Sequence, residues 1–114
     1  MFVIRNEQIR LMGKARQLTS ALLHIRKFFP DDYARLGAAA AERMVAGALE
    51  RARSYGLVSG RDALQFVTIA IVLGEGFDQL PWAREILNDR DSDQTRFRST
   101  RLYTRALRHL EGTA

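Results

Sequence analysis

Along most of this chain apolar residues recur at three- and four-residue intervals, the period of a helix with one buried stripe. In the first such segment, residues 6–29, the stripe is Leu11, Ala15, Leu18, Leu22, Ile25 and Phe29. Asn6 is the expected N-cap, and Glu7 lies in the first turn, where the helix dipole favours a carboxylate. Pro30 stops the helix, with Asp31 and Asp32 following as turn or cap residues. A short turn or helical piece over 32–36 leads to a second long segment, 37–55. There Ala41, Met44, Val45, Ala48, Leu49, Ala52 and Tyr55 share one face, and Gly56 is placed to end the helix in a left-handed conformation.

The third segment has a different pattern. Ser59 is a natural N-cap, with Asp62 three residues on in a weak capping-box arrangement. Leu64, Phe66, Val67, Ile69, Ala70, Ile71, Val72 and Leu73 then go almost all the way round the helix. A helix that is apolar on every side is surrounded by protein, so a central core helix is expected near residues 62–74. The β-branched run would also suit a strand, but its length, its caps and the lack of any partner strand favour a helix. Gly74 and Gly76 close the segment and 77–80 form a loop. Pro81 opens a short helix to residue 88, packed down by Trp82, Ile86 and Leu87. Residues 89–94 are polar and read as the most mobile loop. A last helix over 94–110 is expected to face inward with Tyr103, Ala106, Leu107 and Leu110. The predicted fold is all-α and a single domain, 1–114. It is a compact bundle of four main helices plus one or two short ones, and its short connections favour antiparallel neighbours.

With 114 residues the chain can bury a core without disulfides or metals. The absence of cysteine excludes disulfides, thiolate metal sites and cysteine nucleophiles. The apolar run from Leu64 to Leu73 falls short of the roughly 20 residues of a membrane span, and the N-terminus lacks the pattern of a signal peptide. No membrane association is therefore expected. His24 and His109 fall on different helices and outside any ligand-spaced cluster. Gly74-Glu75-Gly76 lacks the preceding strand and following lysine of a phosphate loop. Ser54, Ser59 and Ser92 have no nucleophile-elbow context. The chain reads as noncatalytic, with no cofactor and no metal. Its best catalytic candidates are Glu75 and Asp78, with Glu85 nearby, as a general acid and base. Carboxylates at a helix end more commonly cap amides or pair with arginines.

The net charge of +5 adds a second theme. At 100° per residue Arg98, Arg101, Arg105 and Arg108 project from one side of the last helix, opposite Tyr103, Leu107 and Leu110. Such a stripe can fork onto phosphates or carboxylates, or be a solvated face. Arg10, Lys14, Arg26 and Lys27 would extend it if the first helix lies alongside. The segment from Ala52 through Gly56 into the third helix is superficially similar to a helix-turn-helix. A recognition helix must offer polar side chains to base edges, and the third helix is core, so that reading fails.

Several short signatures occur in an order that resembles a family of small bacterial proteins encoded beside type VI secretion spike, PAAR-type and polymorphic-toxin genes. They are Ile4-Arg5-Asn6-Glu7-Gln8, Phe28-Phe29-Pro30 and Tyr55-Gly56-Leu57, then Gly74-Glu75-Gly76-Phe77-Asp78 followed by Leu80-Pro81-Trp82-Ala83 and Ile86-Leu87. Together they span most of the chain. The resemblance implies a bacterial, cytoplasmic accessory protein, an adaptor or chaperone for a secreted effector or spike component, and brings no catalytic residues with it. The expected partner is another protein, bound through Arg98, Arg101, Arg105 and Arg108 or through Glu75, Phe77, Asp78 and Trp82. Nucleic acid bound by the arginine stripe is the alternative, and a hydrolase on Glu75 and Asp78 the third. A homodimer through the stripe over residues 11–29 is open if no other helix covers it.

Overall fold

Glycine, proline and short polar side chains divide the chain into its elements. The computed structural model describes residues 6–89 and 97–112, with side chains from residue 12 onward. Among the described residues there are six α-helices and no strand: α1 (Asn6–Phe28), α2 (Pro30–Leu36), α3 (Ala38–Ser54), α4 (Gly60–Leu73), α5 (Pro81–Leu87) and α6 (Arg98–Leu110). A 3-10 turn, Phe77–Gln79, joins α4 to α5. The architecture is the expected all-α bundle, with α2 and α5 as the short members.

Local chemistry explains most of the boundaries. Proline lacks an N–H to lose and fits the first helical turn, so Pro30 opens α2 two residues before the expected start. Phe29 falls between the two helices with φ −134°, although its N–H still reaches the Ile25 carbonyl at 2.8 Å. Gly37, at φ +85°, separates α2 from α3. The end of α3 is a Schellman motif: Gly56 sits at φ +80°, and the Leu57 N–H bonds Ala52 O at 2.8 Å. Leu57 itself is buried, which supplies the apolar contact that accompanies this motif. Ser59 caps α4 by accepting the Asp62 N–H at 3.1 Å. The reciprocal half of the capping box is not made. Asp62 instead accepts a hydrogen bond from Ser99 Oγ, which ties the start of α4 to α6.

Helix α4 is the centre of the bundle, packed against α3, α6 and α1. Ala63 and the six residues from Phe66 to Ile71 are buried. Phe66 is fully enclosed, its ring 5.9 Å from that of Tyr55 and 4.9 Å from that of Phe77. Three expectations need correction. Val72 is 37% exposed, because its side of the last turn of α4 is left uncovered by the described residues, whereas Ile71 in the same turn is buried. Among the described side chains of α1 only Ala21 and Ile25 are fully in the core; Leu18 and Leu22, and Phe29 just beyond the helix, are partly buried and Ala15 is exposed. The third correction concerns α6, which enters the core through Ser99, Leu102 and Ala106, whereas Tyr103, Leu107 and Leu110 are exposed. The side chain of Leu11, most of the expected loop over 89–94 and the expected start of the last helix at 94 lie outside the described residues. No described helix is long and apolar enough to cross a membrane.

Candidate functional site

Three places bring together residues singled out by their chemistry. The first is the exit of α4. Gly74, at φ +108°, ends the helix, and the chain folds back through the 3-10 turn. This turn buries Phe77 against Phe66 and Asp78 beside α3. Tyr55 Oη donates to Asp78 Oδ2 at 2.7 Å, and Gln79 Nε2 donates to the same oxygen at 3.2 Å. Arg51 pairs through Nε with Asp78 Oδ1 at 3.5 Å and donates through Nη2 to the Glu75 carbonyl at 2.8 Å. Burial, and then the hydrogen bond and charge of Asp78, push the Tyr55 phenol above its ordinary pKa. Asp78 is thus an arginine-paired carboxylate that pins the loop to α3. Its oxygens are already occupied, while the Glu75 residue lies in solvent. That arrangement argues against an acid–base pair made of Glu75 and Asp78.

The second place is the arginine stripe of α6, which faces other helices. Arg98 Nη1 donates to Leu87 O at 2.7 Å and its Nη2 donates to Tyr55 O, so one guanidinium satisfies the C-terminal carbonyls of α5 and α3 together. Arg101 Nη1 donates to Asp89 Oδ2 at 2.9 Å. The Arg105 guanidinium lies 5.3 Å from the Trp82 ring centre, in cation–π range, and His109 is 5.8 Å from the same ring. Arg108, at the far end, is exposed. The stripe therefore staples α6 to α5 and α3. Nothing in the periodicity of α6 shows that α5 lies on that side.

The third place was not expected. Phe28 and Phe29 at the end of α1, Gln65, Thr68 and Val72 on α4, and Tyr103, Leu107 and Leu110 on α6 line two adjoining depressions of about 590 and 200 Å³. The depressions share Phe29, Thr68 and Tyr103, so they form one continuous groove. Five of these side chains are large, apolar and exposed, led by Phe28 at 58% and Leu110 at 54%. His24, whose ring is 4.8 Å from that of Phe28, and Arg61 stand at one end. Gln65 Oε1 is buried without a hydrogen-bond partner among the described residues.

One sequence signal does mark this groove. On a helical wheel Leu102, Ser99, Ala106, Leu110, Tyr103 and Leu107 fan across about 140°. A single neighbouring helix does not cover so wide an arc, and α4 covers only the Leu102 and Ala106 side of it. No protein-family model, curated protein or solved structure matches the chain.

Proposed function

We propose that this chain is a noncatalytic protein-binding module whose docking surface is the apolar groove between the end of α1, α4 and α6. The observation that carries this reading is the contiguous exposure of Phe28, Val72, Tyr103, Leu107 and Leu110 along one groove. Contiguous apolar patches on a small domain mark interaction surfaces, whereas scattered single residues do not. The residues that would support other functions are occupied. Asp78 is held by Tyr55 and Arg51. Arg98, Arg101 and Arg105 are held by α3, α5 and the segment after it. This weighs against the hydrolase and against nucleic-acid binding through the stripe. Generic DNA binding would also require retention on a DNA column at about 50 mM salt, where phosphate contacts are strong.

The resemblance to proteins encoded beside type VI spike and toxin genes supplies the class of partner: a secreted effector or a spike component, with this chain as its adaptor or chaperone. The test is co-purification with the product of the neighbouring gene, using wild type and Leu107→Glu. Leu107 is 44% exposed, so the substitution spares the core. The expected result is capture by wild type and loss with the variant. Equal capture by both removes the groove from the proposal, and no capture by either removes the adaptor role.

A further inference from the structure

We infer that the occupant of the groove is a partner's amphipathic helix of about three turns whose apolar stripe is flanked by carboxylates. This rests on the protein-binding reading and adds the chemistry of the partner. The shape of the groove suggests a helix. Helices α4 and α6 line it together with the Phe28–Phe29 corner that follows α1, and Phe29 is common to both depressions. Along α4 it runs from Arg61 to Val72, about 16 Å at 1.5 Å per residue, which matches roughly eleven residues of a docked helix. Apolar side chains at the three- and four-residue spacing of one helix face would meet Phe29, Val72, Tyr103 and Leu107.

Charge selects the flanks. No carboxylate lines either depression, and Arg61 at the α4 end is exposed and makes no ion pair among the described residues. The Lys27 ammonium lies 5.3 Å from the Phe28 ring centre, which puts a second cation beside the α1 corner. The whole chain carries +5. A second copy meeting this face about a two-fold axis would present the same lining without a carboxylate, and so would bring Arg61 and Lys27 no opposite charge. A partner with glutamates or aspartates beside its stripe meets them with opposite charge.

The experiment uses the full chain and two synthetic fluorescein-labelled helical peptides with the same leucine stripe, one flanked by glutamates and the other by lysines. Binding is read by fluorescence anisotropy for wild type, Leu107→Glu and Arg61→Glu, with circular dichroism confirming that each variant is folded. The expected result is about tenfold tighter binding of the glutamate peptide at low ionic strength, with a difference that shrinks as salt screens it. Arg61→Glu narrows that difference several-fold, and Leu107→Glu abolishes binding of both peptides. Equal binding of the two peptides by wild type, still abolished by Leu107→Glu, overturns the acidic partner and leaves the docking surface standing. Binding of neither peptide overturns the helical occupant, and the co-purification experiment then decides the docking surface separately. A wild-type dimer in sedimentation that Leu107→Glu converts to monomer makes a second copy the occupant and also overturns the inference.

Discussion

Replacing Arg98 with methionine isolates what one guanidinium does for the bundle. Methionine keeps an unbranched side chain to pack where the arginine stem lies and removes only the hydrogen-bonding head. Two bonds are lost, to Leu87 O and to Tyr55 O, and both carbonyls sit at helix C-termini where the dipole favours a cation. A hydrogen bond from a charged group contributes about 1.5–3 kcal/mol. Arg98 is only partly buried, so water recovers some of that and the low end applies. The expected net loss is about 2–3 kcal/mol, a large share of the roughly 5–15 kcal/mol that holds a domain together. For a chain of this size that lowers Tm by about 10 °C. The assay is urea unfolding followed at 222 nm, where the midpoint should fall by about 1.5 M with the slope unchanged. Arg98→Lys should recover no more than about half the loss, because one ammonium on a flexible stem cannot fork between two carbonyls. Arg43→Met, on the exposed face of α3, should stay within about 0.5 kcal/mol. A loss below about 1 kcal/mol for Arg98→Met, or full rescue by lysine, would refute the idea that this residue locks three helices.

Other outcomes follow from the same contacts. Gly56→Ala puts a Cβ at φ +80° and 3.1 Å from Arg98 Nη2, so it should cost about 1–2 kcal/mol, and less in the Arg98→Met background where that crowding is gone. Tyr55→Phe removes the phenol that donates to Asp78 and should lower the urea midpoint at pH 7 by an amount worth about 1–2 kcal/mol. Because the folded Tyr55 pKa is raised, its stabilisation is fully present below the unfolded value near 10 and is lost as pH rises through the folded pKa. Wild-type stability should therefore fall more steeply than that of Tyr55→Phe above about pH 10, measured by urea unfolding across that range. Leu102→Ala, at a fully buried site, should cost about 2–5 kcal/mol, whereas Leu107→Ala should cost less than about 1. Equal costs would mean that α6 is rotated from the phase described.

How much of this was legible in the sequence depended on how far the deciding interaction reached. Ser59, Gly56, Pro30 and Pro81 act within a few residues of themselves, so the starts and stops they mark could be read directly. The central place of α4 could also be read, because an all-round apolar surface has no alternative to burial. The phase of α6 could not. Its apolar arc is wider than one contact, and the half that enters the core is set by where α4 and α5 lie, which sequence spacing does not encode. The same long-range placement turned the arginine stripe from an expected outward face into a set of staples. The α1 stripe is shallower than its regular period implies for a related reason: of its described members Ile25 is fully buried, Leu18, Leu22 and Phe29 pack against the core partly exposed, and Ala15 is exposed.

The residues at the exit of α4 show why unusual side chains are a poor guide to function without exposure. Phe77 and Asp78 stand out in the sequence, yet both are about as buried as the core itself. Asp78 holds the loop to Tyr55 and Arg51, and Trp82 receives Arg105 from α6. A carboxylate buried beside an arginine contributes when it is paired and costs several kcal/mol when it is not, so such a cluster is kept by folding alone. The groove has the opposite profile. Its residues are ordinary phenylalanine, valine, leucine and tyrosine, and nothing in their chemistry singles them out. They stand out only because they remain uncovered while equivalent side chains one turn away are sealed. An exposed Leu107 beside a fully buried Leu102, on one helix, is explained by nothing among the described residues, and a partner on that face would give it a cause.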